Sequence, residues 1–355
     1  MKEDLGKFFK GKKVLITGHT GFKGAWLAEV LTLWGAKVIG VSLEPYTEPN
    51  LYTVLKLGEK VNNYFADITD QRRLADIFAK EQPEIVFHLA AQAIVKISYE
   101  DPLRTFRANV IGSANVLQTI RETKSVKTGV MITSDKVYEN KEWVHPYREI
   151  DRLGGHDPYS ASKAAADIID QSFIKSFFTE ETDPFVGITR AGNVIGGGDW
   201  SPYRIIPDVV RAIYEKGEAV VIRNPQSIRP WQFVLEPLSG YLLLAKKLFE
   251  GDRSLITTWN FGPHQGNFVT VSELVEAGVK ILDKGSYKVV PDKSFHESTF
   301  LKLDISKAHD LLGWSPKLDI KETLGYTYDW YKNYYEHLKS PTEFTDKQIT
   351  EYFSK

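Results

Sequence analysis

The sequence of 355 residues contains no cysteine, which excludes disulfide bonds, thiolate metal sites and a cysteine nucleophile. This absence is compatible with a reducing compartment, and we expect a cytoplasmic protein. An excess of one charge is also missing, because 45 Lys and Arg residues face 46 Asp and Glu residues, for a net charge of −1. Since no basic block is present either, nucleic acid and anionic membranes are not expected as partners.

Long apolar runs are absent as well. No segment approaches the ~18 consecutive apolar residues of a membrane span, and residues 1–12 are too polar for a secretion signal. The apolar fraction of 42% and the charged fraction of 26% are ordinary for a globular protein. The length favours about two domains of ~150 residues each.

Short apolar runs typical of buried strands alternate with helical segments in the first half of the chain. The predicted strands are 13–18, 37–43, 63–66, 84–89, 129–133 and 185–190. The predicted helices are 22–34, 70–80, 102–123 and one that begins near 157. This alternation predicts an α/β fold, a Rossmann-type doubly wound parallel sheet covered by helices on both faces.

The alternation breaks near residue 192, where glycine- and proline-rich loops begin. Beyond it we expect helices at 207–216, 237–249, 270–282, 306–312 and 320–337, and strands at 220–223, 232–235 and 259–261. They predict a smaller mixed α/β C-terminal domain. We therefore predict a nucleotide-binding domain over 1–190, with later segments at about 225–250 interleaved into it, and a substrate-binding domain over 191–355.

A glycine-rich loop joins the first predicted strand to the first predicted helix. Its glycines Gly18, Gly21 and Gly24 are spaced G-x-x-G-x-x-G. Glycine permits a tight turn and lets the backbone approach a pyrophosphate, which then meets the free N–H groups of the helix. An ordinary glycine-rich connection is the alternative, but the strand before and the helix after favour a dinucleotide site.

The end of the second predicted strand bears on which dinucleotide is bound. Ser42 stands where a carboxylate usually binds the ribose diol, and no Arg follows to pair with a 2′-phosphate. This pattern favours NAD over NADP. Asp67 and Ile68, after the third strand, could bracket an adenine, although Asp67 could equally be a turn residue.

A Tyr-x-x-x-Lys pair lies on the helix that begins at Asp157 and Pro158, a good N-cap followed by a residue favoured at the first helical position. Tyr159 and Lys163 then lie one turn apart on one face. A phenol ordinarily titrates near ~10, and a nearby ammonium favours its ionised form, so the pair could act as a base. Taken alone, this spacing more often marks a solvated Lys beside a half-buried Tyr.

Together with the glycine loop and the Tyr–Lys pair, the segments 88–92, 109–112 and 190–193 resemble the extended short-chain dehydrogenase/reductase family. The resemblance covers nearly the whole chain. It implies NAD bound by the N-terminal domain and a nucleotide sugar held between the domains. The cofactor-binding positions that it implies are Gly18, Gly21, Phe22, Lys23, Gly24, Ser42, Asp67, Ile68, Leu89, Ala90, Ala91, Gln92, Asn109, Tyr159 and Lys163.

The segment 133–138 (Thr-Ser-Asp-Lys-Val-Tyr) narrows the resemblance to the nucleotide-sugar 4,6-dehydratases. Their usual pattern is a hydroxyl residue, Asp and Glu, and Lys136 in the third position resembles the branch that uses a cytidine-diphosphate sugar. The implied catalytic residues are Ser134, Asp135, Lys136, Tyr159 and Lys163. From the sequence, Lys136 is either a neutral base for the sugar C5 proton or a charged partner of Asp135.

The remaining expectations concern ligands and partners. Asn193, Arg204, Arg229 and His296 are candidates for the nucleotide end of the substrate, although Arg204 and His296 could equally be ordinary surface or core groups. No metal is expected, because no histidines show metal-ligand spacing. The helices predicted at 102–123 and from 158 resemble those of the family's homodimer interface, although core packing would explain their apolar length almost as well.

Two other functions compete with dehydration. A sugar 4-epimerase of the same family would share the glycine loop, Tyr159 and Lys163, but would lack the Asp135–Lys136 pair. A non-enzymatic NAD-binding regulator would tend to lose Tyr159 or Lys163, and both are present.

Overall fold

The computed structural model describes residues 2–264, 267–290 and 301–355. The strands are β1 Lys13–Thr17, β2 Lys37–Ser42, β3 Asn62–Phe65, β4 Ile85–His88, β5 Thr128–Ile132, β6 Phe185–Ala191, β7 Val194–Ile195, β8 Val220–Ile222, β9 Ile228–Pro230, β10 Gln232–Phe233, β11 Thr258–Phe261, β12 Phe268–Thr270 and β13 Tyr287–Val289.

The α-helices are α1 Lys2–Phe9, α2 Phe22–Leu33, α3 Leu51–Val54, α4 Gln71–Glu81, α5 Val95–Glu100, α6 Pro102–Phe106, α7 Gly112–Glu122, α8 Pro158–Phe177, α9 Ile205–Val210, α10 Leu235–Phe249, α11 Val271–Leu282, α12 Ile320–Tyr335 and α13 Pro341–Ser354. Wider π-helical turns occur at Arg107–Ile111, Arg211–Lys216 and Ala308–Leu312, and a 3₁₀ turn at Asp135–Val137.

A seven-stranded parallel sheet with the order β11-β6-β5-β4-β1-β2-β3 forms the centre of the fold, which confirms the predicted Rossmann-type fold class. Chain order reverses between β1 and β4, so a crevice opens there at the carboxyl ends of the strands. In β1, Thr17 pairs with Val41 on one side and with His88 on the other. The register therefore brings the loops that follow β1, β2 and β4 to one edge.

Helices cover both faces of this sheet and bury two apolar clusters. Helices α4, α7 and α8 lie on one face, while α2 and α10 lie on the other with much of the C-terminal region. Helix α2 is apolar on all sides, which is typical of a buried helix. Its Trp26 is fully buried and donates a hydrogen bond to the Gly197 carbonyl at 2.9 Å, so α2 is joined to the loop after β7.

The C-terminal half differs in two places from the sequence prediction. The strand predicted at 259–261 was assigned to the second domain, but β11 is an edge strand of the main sheet beside β6. The strand predicted at 232–235 ends after Phe233, because Leu235 already begins α10. An isolated run of three or four apolar residues does not reveal its pairing partner, so only the assembled sheet shows where β11 belongs.

Other elements have no counterpart in the prediction. Helices α1, α3, α5 and α13 and the three-residue strands β9, β12 and β13 are the additional elements. Most of them are too short for apolar periodicity to be recognised. Helix α13 does carry a start signal, Ser340–Pro341, that could have identified it.

No helix in the described ranges has the length and apolar character that a bilayer crossing requires.

Helix α13 packs against α2 through a buried group of charges. Glu29 of α2 is 2% exposed and pairs with Lys60, while the Asp346 carboxyl of α13 faces it. Burial raises the pKa of Glu29 from 4.5 to about 7, Lys60 opposes this shift and Asp346 adds to it. Two carboxyls in contact are stable only when one of them holds a proton.

This group predicts a specific dependence of stability on pH. Because the pKa of Glu29 is raised in the folded state, its contribution is present below pH 4.5 and is lost as the pH rises through about 7. We expect the Glu29→Gln variant to lose less free energy of unfolding than the wild type between about pH 5 and about pH 8. Urea denaturation across this range measures the difference, with the exposed Glu218→Gln as control. Equal pH dependence in the wild type and Glu29→Gln would contradict the assignment.

Candidate active site

The loop between β1 and α2 has the geometry of a dinucleotide-binding turn. Gly18 has a φ of +80°, and a Cβ atom there would lie 2.7 Å from the Ala90 backbone nitrogen. A Cβ atom on Gly24 would lie 2.1 Å from the Gly18 carbonyl oxygen. Gly21 is the N-cap of α2 and supplies no capping side chain, so the N–H groups of the first helical turn are left for an anion. The cradle fits a dinucleotide pyrophosphate.

Ser42 and Asp67, the cofactor candidates after β2 and β3, differ in their surroundings. Ser42 is buried at the end of β2, and its hydroxyl lies 2.7 Å from the Thr20 hydroxyl. Asp67 is exposed, and its carboxylate accepts a hydrogen bond from the Thr69 backbone at 2.8 Å. Ile68 is buried against Gly112, where a Cβ atom would lie 2.4 Å from its side chain.

The segment after β4, Leu89 to Gln92, lies next to the glycine loop. The Ala90 backbone donates to the Thr17 hydroxyl at 3.2 Å. Asn109, in the wide turn before α7, accepts from the Gln92 backbone at 2.8 Å and donates to the Ser162 hydroxyl at 2.8 Å. Asn109 thus connects this segment to α8, whose first turns carry Tyr159 and Lys163.

The residues Ser134, Asp135 and Lys136 form a tight turn after β5. Ser134 is the N-cap of this 3₁₀ turn: its hydroxyl accepts from the Lys136 backbone at 3.2 Å and donates to the Asp135 carboxylate at 3.0 Å. Asp135 is 5% exposed, whereas Lys136 is half-buried. A Cβ atom on Gly192, after β6, would lie 1.9 Å from the Asp135 carboxylate, so only glycine leaves room for this carboxyl group.

Tyr159 and Lys163 occupy the first turns of α8, which begins as predicted. The Asp157 side chain caps it by accepting from the Ser160 backbone at 2.9 Å, and Pro158 is the first helical residue. Ser134, Asp135 and Arg204 all act on the pKa of the Tyr159 phenol. The structure therefore brings the Ser-Asp-Lys turn and the Tyr-x-x-x-Lys helix together.

The electrostatics of this pair differ from the sequence expectation. Burial raises the pKa of Tyr159, and the Ser134 hydroxyl and the positive charge of Arg204 oppose this shift. The Lys163 ammonium donates instead to the Ile132 carbonyl at 3.1 Å, and burial lowers its pKa from 10.5 to about 8. The spacing in the sequence correctly places Tyr159 and Lys163 on one helix face, but it does not show which group the Lys163 ammonium contacts.

Two buried acids lie below Lys163 on the same helix, and sequence reasoning missed both. Asp167 forms a bidentate ion pair with Arg190 of β6, with distances of 2.7 and 2.8 Å, and neither side chain is exposed. Asp170 is 1% exposed, and burial raises its pKa well above the usual range. Their negative charges partly offset the effect of burial on Lys163.

The candidate substrate residues fall in different places. Arg204 is the N-cap of α9, pairs with Asp199 at 3.0 Å and acts electrostatically on Tyr159, so it reaches the reaction centre. Asn193 lies between β6 and β7 with a φ of +45°, which is rare outside glycine. Arg229 lies half-buried on β9 in a small sheet with β12. His296 lies outside the described residues.

One contact in the site could not be inferred from the sequence. The Lys23 ammonium donates to the Tyr241 hydroxyl at 3.2 Å, although the two residues are 218 positions apart. Tyr241 is fully buried in α10, and a helical tyrosine in an apolar segment carries no sequence signal for such a role. Lys23 thus turns inward from the glycine loop.

Comparison with known proteins identifies the family of the chain. The family model described as GDP-mannose 4,6 dehydratase matches residues 15–327. The chain belongs to this family. Among curated relatives, it is 44% identical to a CDP-glucose 4,6-dehydratase of Salmonella typhimurium over 330 residues, 92% of each chain. It is also 26% identical to a dTDP-D-glucose 4,6-dehydratase of Dictyostelium discoideum, over 91% of this chain and 82% of that protein.

Solved structures of family members share the fold. The UDP-glucose 4-epimerase of Thermotoga maritima, solved with UDP-glucose, superposes with a TM-score of 0.75 at 26% identity and covers 92% of this chain and 99% of its own. A dTDP-glucose 4,6-dehydratase of Streptomyces venezuelae, solved with NAD bound, gives a TM-score of 0.76 at 24% identity, with the same coverage of both chains. The fold is therefore common to dehydratases and epimerases, and the residues of the site must distinguish them.

Proposed function

We propose that the protein is an NAD-dependent CDP-glucose 4,6-dehydratase, a hydro-lyase that converts CDP-D-glucose to CDP-4-keto-6-deoxy-D-glucose and water. One observation carries the proposal: the turn that contains Asp135 and Lys136 begins at Ser134, whose side chain acts on the Tyr159 phenol. The 44% identity to the Salmonella typhimurium CDP-glucose 4,6-dehydratase supports the choice of substrate. The product belongs to deoxysugar synthesis of the O-antigen type.

The cofactor is held by the cradle at the sheet edge. Gly18, Gly21 and Gly24 let the backbone approach the pyrophosphate, and the segment from Leu89 to Gln92 borders the same crevice. When bound, NAD would accept a hydride from C4 and return it to C6, so the overall reaction consumes no oxidant. In this assignment Lys163 orients the ribose next to the nicotinamide.

Tyr159 and Ser134 act on the sugar 4-hydroxyl group. The phenolate form of Tyr159 accepts the hydroxyl proton as C4 is oxidised, and the Ser134 hydroxyl stabilises the 4-oxygen by a hydrogen bond. Arg204 favours the phenolate form, because its positive charge lowers the pKa that burial raises.

Asp135 and Lys136 then carry out the loss of water. A ketone at C4 acidifies the C5 proton, which the Lys136 amine removes and returns to C5 after the hydroxyl group has left. Asp135 donates a proton to the departing 6-hydroxyl group, so the hydroxyl leaves as water. Gly192 matters here, because its bare backbone lets the Asp135 carboxyl occupy this position. A 4-epimerase needs neither an acid nor a base at these two positions, which is why we favour dehydration.

We assign the nucleotide end of the substrate to the side chains near the second half of the chain. Asn193 and Arg229 are assigned to the diphosphate and nucleoside, and Arg229 is the first choice because a guanidinium binds phosphate oxygens in pairs. Arg204, which lies nearer to Tyr159, is assigned to the sugar side of the diphosphate. His296 keeps its sequence-based assignment to the CDP moiety.

We also propose a cytoplasmic homodimer, or a dimer of dimers, built on the face of α6 and α8. Exposed apolar side chains support this face: Leu103 is 78% exposed, Ile168 is 55% exposed and Ile111 is 52% exposed. Apolar side chains grouped in this way are typical of an interface.

The proposed reaction is tested with a panel of nucleotide sugars. Purified protein with NAD is incubated with CDP-, dTDP-, GDP- and UDP-linked hexoses, and loss of water is followed by mass and by the alkaline absorbance of a 4-ketosugar. We expect turnover with CDP-glucose, at least about tenfold above the other nucleotides in kcat/KM, and none with Tyr159→Phe. Equal turnover of dTDP-glucose would refute the cytidine assignment, and epimerised product without water loss would favour the 4-epimerase.

The role of Lys136 gives a second prediction. We expect Lys136→Ala to lower kcat by about 100-fold or more, since a positioned base contributes on this scale. Exchange of the C5 hydrogen with solvent deuterium should be lost with it, and small amines should restore part of the rate. Lys136→Arg is the matched control, because an arginine keeps the charge but does not deprotonate. A nearly normal rate in Lys136→Arg would mean that the residue acts only through its charge.

The dimer face gives a third prediction. Introducing a charge at its centre, in Leu103→Asp or Ile168→Asp, should shift the protein towards monomer in sedimentation velocity, because a carboxylate is costly to bury in an apolar interface. Leu338→Asp is the control, since Leu338 is also exposed but lies after α12, away from this face. An unchanged dimer in both interface variants would exclude this face.

A further inference from the structure

Lys23 is the second residue of α2, and its side chain is directed away from the glycine loop towards α10. It is half-buried and its ammonium is attached to α10, where it donates to the Tyr241 hydroxyl at 3.2 Å and lies 5.3 Å from the centre of the Tyr241 ring. Tyr241 is fully buried and packs against Phe261 of β11. The far end of the lysine therefore has a fixed position.

The charged groups around Lys23 are those of the reaction site. Lys163 of α8 and Arg204 at the start of α9 act on it as like charges, and Asp135 of the turn after β5 acts as the opposite charge. The pKa of Lys23 is lowered from 10.5 to about 7. Burial is the largest cause, the two cations act in the same direction, and Asp135 opposes the shift. Tyr241 itself stays a neutral phenol, because burial raises its pKa.

We propose that Lys23 is a positioning residue of the reaction site. Tyr241 holds its ammonium group in place, so that a fixed positive charge faces Asp135 and Lys163. This inference rests on the proposed dehydration for its kinetic consequences, but not for the placement of the ammonium. It differs from the expectation that Lys23 serves the cofactor phosphates.

The chemical consequence concerns the oxygen atoms of the sugar. Negative charge develops on the 4-oxygen both when its hydroxyl proton is removed and when the C5 proton leaves next to the 4-ketone. A fixed cation nearby stabilises that charge in a site that excludes water. Because burial lowers the pKa of Lys23 to about 7, we expect this stabilisation at lower pH and its loss as Lys23 loses its proton.

Placement of the ammonium can be tested without any turnover. Competitive labelling with acetic anhydride, read by peptide mass spectrometry against N-acetyl-lysine amide as internal standard, gives the pKa of Lys23 in the folded protein. We expect a value near 7, moved upward in Arg204→Gln and in Lys163→Gln, each of which removes a like charge. Labelling identical to that of the free standard, or a pKa that neither substitution moves, would overturn the proposal.

The kinetic consequence is tested with Lys23→Met and Lys23→Arg. We expect the ratio of kcat between wild type and Lys23→Met to be about tenfold near pH 6 and to approach one above about pH 8, which is the effect of one charge worth about one pKa unit. Lys23→Arg, which stays charged, should lack the wild-type inflection near pH 7. Circular dichroism and thermal unfolding establish that each variant is folded.

Lys37→Met is the matched control, because it removes an exposed lysine at the amino end of β2, opposite the site edge of the sheet. Its pH profile should equal that of the wild type. A wild-type to Lys23→Met ratio that stays constant across the pH range would contradict the proposal and would favour a phosphate ligand. If no nucleotide sugar is turned over, the proposed function fails while the labelling experiment still decides where Lys23 lies.

Discussion

The bidentate ion pair between Asp167 and Arg190 is the contact on which the geometry of the site depends. Asp167 lies one turn beyond Lys163 on α8, and Arg190 lies two residues before Gly192 at the end of β6. The same guanidinium donates to the Tyr138 hydroxyl at 2.8 Å, just after the turn that carries Asp135. One buried cation therefore joins the helix, the strand and the turn that supply the reacting groups. Removing one partner of a buried pair of this kind costs about 3–5 kcal/mol, because the other charge is left uncompensated.

The parallel sheet supplies the second constraint. With every strand running in one direction, the glycine loop after β1, the segment after β4 and the turn after β5 must meet at one edge. Close packing then fixes their separation: Gly24 lies against the Gly18 carbonyl, and Gly192 lies against the Asp135 carboxyl. These glycines are required for the space that they leave, and each one keeps a different reactive segment in place.

Dehydratases and epimerases share this scaffold, so the function is decided by a few side chains. Tyr159 and Lys163 suit any oxidation of a sugar hydroxyl, whereas in the proposed reaction Asp135 and Lys136 add an acid and a base for elimination. Burial of charge is the common means of tuning them, since it raises the pKa of Tyr159 and lowers that of Lys163. The site is thus a cluster of costly buried charges that the fold holds near one another.

The sequence by itself determined the fold class and most elements of the sheet, because apolar periodicity and capping residues are local signals. It also determined the chemical inventory, since the Tyr159 helix and the turn around Asp135 are each contained in a short segment with a recognisable pattern. Tertiary structure alone decided that β11 joins the main sheet, that Lys163 is directed to a backbone carbonyl and that Lys23 meets Tyr241. The reason is physical: strand pairing, side-chain direction and the pKa of a buried group depend on neighbours that are distant in sequence, and no local pattern encodes them.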